Sequence, residues 1–100
     1  MISIVCVYNN KEVLNDFLIK SLKNQSVNYE LILMDNTTGN FSSAASALNK
    51  GGKKAKGKYI MFVHQDIDLE SSEWLEDTEK TLDSLENLGI AGVAGIAKWD

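Results

Sequence analysis

The sequence has one cysteine, no arginine and no apolar run of membrane-spanning length. A lone cysteine, Cys6, cannot build a disulfide framework and points to a reducing compartment, the cytoplasm. Without arginine, bidentate guanidinium recognition of phosphate is excluded. The apolar stretches have strand length, well short of the ~18 residues of a membrane span. Met1 leads straight into Ile2-Ser3-Ile4-Val5 with no basic segment, so no secretory leader is read. Repeats, linkers and low-complexity tracts are also missing. No glycine-rich loop matches a P-loop or a dinucleotide fingerprint: Gly89, Gly92 and Gly95 fall inside a strand-like run, the wrong place for one.

What is present is the composition of one ordinary globular domain, 100 residues with 44% hydrophobic and 24% charged. Such a chain buries roughly 60–70% of its unfolded surface, enough for one modest core. The net charge of −4 is unevenly spread: residues 1–58 carry +4 and residues 59–100 carry −8. Overall acidity argues against nucleic acid as a partner. The basic cluster Lys50, Lys53, Lys54, Lys56 and Lys58 reads as a solvated helix face.

Ile2–Val7 is a β-rich apolar run, the pattern of a strand buried on both faces. Asn9 fits a helix N-cap with Glu12 completing a capping box. Val13, Leu14, Phe17, Leu18 and Leu22 then mark the inner face of a helix running to about Asn24. Tyr29–Met34 is a second strand ending at Asp35, and residues 36–40 are turn chemistry. A second helix starts at Ser42 or Ser43, and Asn49-Lys50-Gly51-Gly52 interrupts it. Lys58–Val63 reads as a third buried strand. Ser71 or Ser72 caps a third helix, with Trp74, Leu75, Thr78, Leu82 and Leu85 facing inward and Gly89 ending it. Ile90–Ile96 is a fourth strand. The order β-α-β-α-β-α-β predicts an α/β fold: a three-layer, Rossmann-like open parallel sheet joined by right-handed crossovers.

In such a sheet ligands bind outside the carboxyl ends of the strands, where strand order reverses. With the first strand central, Tyr8-Asn9, Asp35-Asn36 and residues 64–68 converge on one crevice. Asp66 and Asp68 are the strongest chemical signal: two hard oxygen donors, suited to a divalent cation shared with a diphosphate. The same acids also suit the approach to a helix N-terminus. Asp35 fits either an acceptor for a base or ribose, or an Asx-turn. Tyr8 fits either a stacking platform or a packed ring at the sheet edge. His64 reads as a hydrogen-bonded structural imidazole, Gly51 and Gly57 as helix-breaking and strand-entry residues, and Cys6 and Trp74 as packing residues.

These segments resemble the nucleotide-sugar-binding half of family 2 glycosyltransferases, which have the GT-A fold. Ile4-Val5-Cys6-Val7-Tyr8-Asn9 is similar to the family's opening strand, with Cys6 in place of the usual proline. Glu30-Leu31-Ile32-Leu33-Met34-Asp35-Asn36 is similar to its second strand with the terminal aspartate. Asn49-x-Gly51 and Ala55-x-Gly57-x-Tyr59-Ile60 match the approach to the metal motif, on which Phe62-Val63-His64-Gln65-Asp66 falls. His64 stands where the first acid is expected, a His-Gln-Asp variant of a divergent, glycosyltransferase-like branch.

The resemblance implies a nucleotide-diphosphate sugar as partner, most simply a UDP-sugar. It places Val7, Tyr8, Asn9, Asp35 and Asn36 at the nucleotide, and Asp66, with Asp68 as a substitute acid, at Mg²⁺ or Mn²⁺. The intact protein would move a sugar to an acceptor hydroxyl. A hundred residues is short for that task, so the expectation is a donor-binding part of a longer fold, its general base and acceptor site supplied elsewhere. The alternative is a non-catalytic, glycosyltransferase-like stub that binds nucleotide or serves assembly through an open sheet edge. A phospho-acceptor receiver domain needs an acidic pair after strand one and a fifth strand, neither of which this sequence has.

Overall fold

A computed structural model of the chain describes residues 1–39, 41 and 43–84. They form an α/β unit: β1 (Ile2–Tyr8), α1 (Lys11–Leu14), a π-helical turn (Asn15–Ile19), α2 (Lys20–Leu22), β2 (Tyr29–Asp35), α3 (Ala44–Lys54), β3 (Tyr59–Val63) and α4 (Trp74–Asp83). The strands make an open parallel sheet in the order β2-β1-β3. Ile2 pairs with Tyr29 on one side and Tyr59 on the other, and the register runs up to Tyr8↔Asp35 and Cys6↔Val63. The central position inferred for the first strand is therefore the one it occupies. Among the described residues no helix is long and apolar enough to cross a membrane. The expected fourth strand at Ile90–Ile96, with Leu85 and Gly89, lies outside the described residues.

β1 is buried on both faces because its alternate residues feed two different clusters. Ile2, Ile4 and Cys6 pack with Leu14, Leu18, Leu22, Leu69 and Leu75 on one face. Val5 packs with Met34 and Ala47 on the other, under α3. Each fully buried Leu or Ile stabilises the fold by roughly 1.5–3 kcal/mol, so the first face carries most of the core energy.

Several local expectations change. The N-cap of the first helix is Asn10, not Asn9: its side chain accepts from the Val13 N–H. Leu14, Leu18 and Leu22 are buried at spacings of four, while Phe17 is 43% exposed. The intervening π turn is wider than an α turn, so positions four apart stay in line and Phe17, three after Leu14, turns outward. α3 is not interrupted at residues 49–52 but continues to Lys54. Gly51 is buried inside it, and a Cβ there would lie 2.5 Å from Val5 Cγ1, so this glycine lets helix and sheet approach closely rather than ending the helix. β3 starts at Tyr59 and is not buried on both faces, since Ile60 and Phe62 are 45% and 49% exposed. α4 starts after Glu73; Ser71 contributes a turn, its Oγ accepting from the Glu73 N–H.

α4 lies across the N-terminal edge of the sheet. Its polar partners step along the row of strand starts: Glu76 accepts from Ser26 Oγ before β2, Glu79 pairs with the N-terminal ammonium before β1, and Asp83 pairs with Lys58 and Tyr59 at β3. A clasp of hydrogen bonds joins the strand starts around Ser3. Ser3 Oγ, fully buried in β1, donates to Glu30 Oε1 at 2.7 Å and accepts from the Gly57 N–H at 2.7 Å. Glu30 Oε1 also accepts from the Lys56 N–H at 2.8 Å. The lysines of the basic cluster are exposed, as expected of a solvated face, with Lys50 lying over the Phe41 ring.

Candidate functional site

The carboxyl ends of the three strands bring together Tyr8-Asn9-Asn10, Asp35-Asn36-Thr37 and the loop from His64. The inferred convergence is thus present, and its geometry follows from how each exit is tied down. β2 ends on Asp35, whose Oδ1 accepts from the Thr37 N–H at 2.8 Å and the Thr37 hydroxyl at 2.6 Å. This is the Asx-turn weighed for that residue. Tyr8 is paired with Asp35 across the two strands, and its phenol lies near enough to the carboxylate for each to shift the other's titration. The Thr37 contacts, first the hydroxyl and then the N–H, hold the Asp35 carboxyl below its ordinary value, with smaller contributions from Tyr8 and from the Lys11 ammonium. Burial, then the Asp35 charge, pushes the Tyr8 phenol above its ordinary value. At neutral pH the pair is a charged acceptor beside a neutral ring.

Tyr8 also packs against the core cluster of β1. Asn36 builds the loop itself: its N–H donates to the Tyr8 carbonyl and its Oδ1 accepts from the Phe41 N–H. Asn9 is likewise engaged, through Gln65. Val7, half-buried, packs on the Val5 and Met34 cluster beneath α3. Cys6 is buried where β1 nears its exit. Burial, reinforced by the charge of Asp66, pushes its thiol up to about 12, which removes it as a nucleophile.

The third exit is a tight turn. The Ile67 N–H donates to the His64 carbonyl, with Gln65 and Asp66 as its two central residues. The chain then returns toward the N-terminal edge, where Ser72 accepts from the Ser26 N–H. Along the return Ile67 packs on the core and Leu69 is buried, while Asp66 and Asp68 are exposed. Alternation therefore puts both acids on the solvent side of one segment. Among the described residues no group of three or more His, Cys, Asp or Glu side chains could hold a metal ion. A resident metal centre of protein ligands alone does not fit these residues. The donor set suits a hard cation that arrives with its own oxygen ligands, since Mg²⁺ is commonly held by one or two carboxylates plus substrate phosphates.

Three residues that the sequence pattern did not single out belong to this edge: Gln65, Thr37 and Lys11. Thr37 was legible, because a hydroxyl two residues after a turn aspartate is a known partner for it. Gln65 and Lys11 carry no periodicity or motif signal of their own.

No curated protein and no solved structure matches the chain. A family model described as a glycosyltransferase-like family matches residues 2–100. With an open parallel sheet whose polar exits meet at one edge and a match across nearly its whole length, the chain belongs to the glycosyltransferase-like family.

Proposed function

We propose that the carboxyl edge of this sheet binds a nucleotide-diphosphate sugar, as the donor-binding part of a protein that transfers the sugar to an acceptor hydroxyl. The observation that supports this best is the parallel order β2-β1-β3, which gathers the Tyr8–Asp35 pair and the Asp66 turn on one edge. Asp35, ionised at neutral pH, accepts from an N–H of the base, which favours uracil. The Tyr8 ring, beside Asp35 across the strand pair, flanks that base. Val7, Asn9 and Asn36 fix the backbone around it. Asp66, with Asp68 on the same exposed side, faces the diphosphate and holds Mg²⁺ or Mn²⁺ there. When bound, the cation neutralises charge on the departing diphosphate. The residues themselves do the rest: they select the base, hold the diphosphate beside the turn and fix the donor's orientation. A non-catalytic member of the family would use the same residues and differ only in turnover.

Calorimetric titration with uridine diphosphate, with and without Mn²⁺, tests the reading. The expected result is binding strengthened about tenfold or more by Mn²⁺, with that gain lost in Asp66→Ala. Equal heats with and without Mn²⁺, or an unchanged gain in Asp66→Ala, would sink it.

A further inference from the structure

We propose that Gln65 is a positioning residue that locks the turn carrying Asp66 onto the exit of β1, so that the cation side and the nucleoside side of the donor site are held as one unit. The proposal rests on the donor-site reading above. Its observation is a three-point bond: Gln65 Oε1 accepts from the Asn9 N–H and the Asn10 N–H, both at 3.0 Å, and Gln65 Nε2 donates to Asn9 Oδ1 at 2.8 Å. Only a primary amide does both. A carboxylate cannot donate to Asn9 Oδ1, and a hydroxyl offers one donor and a shorter reach.

The mechanical consequence follows from the turn. Gln65 and Asp66 are the adjacent central residues between the His64 carbonyl and the Ile67 N–H. Fixing Gln65 at three points fixes the plane of the peptide that leads into Asp66. On the far side Ile67 and Leu69 pack on the core, so the Asp66 backbone is clamped from both ends. Asp68 lies beyond the turn, and among the described residues its support comes from its packed neighbours Ile67 and Leu69. Asp66 is therefore the preset acid and Asp68 the adaptable one. The same bond accounts for the displaced helix start. The Asn9 N–H, which a capping box would give to Glu12, goes to Gln65 instead, and the cap moves one residue on to Asn10. The turn after β1 is thereby matched to the loop after β3, 55 residues away at Asn10.

The test uses Gln65→Leu, of similar size but without either polar atom, and Gln65→Glu, which keeps the acceptor for both N–H groups. Two readouts are taken: uridine diphosphate affinity with and without Mn²⁺, and the amide-proton shift and exchange protection of Asn9 and Asn10. Gln65→Leu is expected to lose Asn9 and Asn10 protection and to lose about tenfold of the Mn²⁺-dependent gain, with a clearly smaller loss of metal-free affinity through the released Asn9. Gln65→Glu restores protection and most of the gain. A residue that merely stabilised the fold would weaken binding equally with and without Mn²⁺, and that result overturns the proposal. So does an unchanged gain in Gln65→Leu while Asp66→Ala abolishes it, which leaves the donor-site reading intact. Should the unaltered protein show no Mn²⁺-dependent gain, the donor-site reading fails and this proposal with it. A Gln65→Leu chain that does not fold would show Gln65 to be a stability element, which also overturns the proposal; an Asn9→Ala chain, which removes only the Nε2 contact, then confirms that reading by melting early.

Discussion

The two ends of the sheet are built differently. At the N-terminal edge, a helix lies across the strand starts and a buried hydroxyl, Ser3, links β1 to Glu30 and to the Gly57 N–H. At the carboxyl edge, no helix crosses the exits among the described residues, and side-chain amides and carboxylates bond directly to exposed backbone. One end spends its polar groups on closure and the other on shaping loops. Parallel sheets tend toward this asymmetry, since ligands sit outside the carboxyl ends of the strands. Here the closed end anchors register, which leaves the open end's geometry to a few hydrogen bonds in exposed or half-exposed positions.

The comparison breaks most sharply at Gly57. A Cβ there would lie 2.6 Å from Ser3 Oγ, 2.7 Å from the Met1 carbonyl oxygen and 2.8 Å from Ser3 N. Two of the three are backbone atoms and cannot swing aside, so the strand start must move. Gly57→Ala is expected to cost about 3 kcal/mol, at the upper end of ordinary point substitutions, as read from the shift in urea midpoint at constant slope. If the ends are independent, the folded fraction binds uridine diphosphate with unchanged affinity. A midpoint within error of the unaltered protein would show that the clasp is not closed in solution.

Much of this division was legible before the fold. β-branched density and turn residues located the strands, and parallel topology then placed Tyr8, Asp35 and Asp66 together. What the sequence could not show were contacts between residues far apart in the chain. Gly51 reads as a helix breaker because glycine costs about 1 kcal/mol in a helix. Close approach of α3 to Val5 and Met34 outweighs that cost. The exposure of Phe62 follows from α3 covering the β1–β2 side of its face, which no local pattern reports. Gln65 looks like an ordinary turn residue until β1 and β3 are neighbours. The alternatives at Asp35 stayed open for the same reason: an Asx-turn and a base acceptor need the same carboxylate, and the turn engages Oδ1 with Thr37.

A smaller effect sharpens the closed end. The Lys56 N–H and then the Ser3 hydroxyl hold the Glu30 carboxyl below its ordinary value. A group whose folded value is depressed stabilises the fold above its unfolded value and stops doing so as pH falls through the folded one. Stability should therefore decline with acid from the ordinary glutamate range, about 4.3, downward. In Glu30→Gln this part of the decline should vanish, so the two proteins' urea midpoints converge as pH falls. Parallel curves across that range would mean that the carboxylate contributes nothing specific.

The smallest effect belongs to the open end. Thr37→Val removes the hydroxyl that bonds Asp35 Oδ1 and leaves the backbone N–H in place. The Asp35 carboxyl, depressed mainly by that hydroxyl, should then titrate at higher pH, closer to its ordinary value. Since Asp35 is exposed, the stability linked to its depressed titration is small, and the thermal midpoint at neutral pH should fall only slightly, in contrast to the change at Gly57. The carboxyl-carbon chemical shift of Asp35, followed against pH, reads the change directly. If Asp35 also accepts from the base, uridine diphosphate affinity at neutral pH stays the same in Thr37→Val, because the carboxylate is ionised in both proteins. On the acid side, affinity must fail at the higher pH set by the new titration. Coincidence of the binding and titration midpoints in both proteins would tie the Asx-turn to ligand recognition. A binding profile that ignores the shifted titration would make Asp35 a turn residue and nothing more.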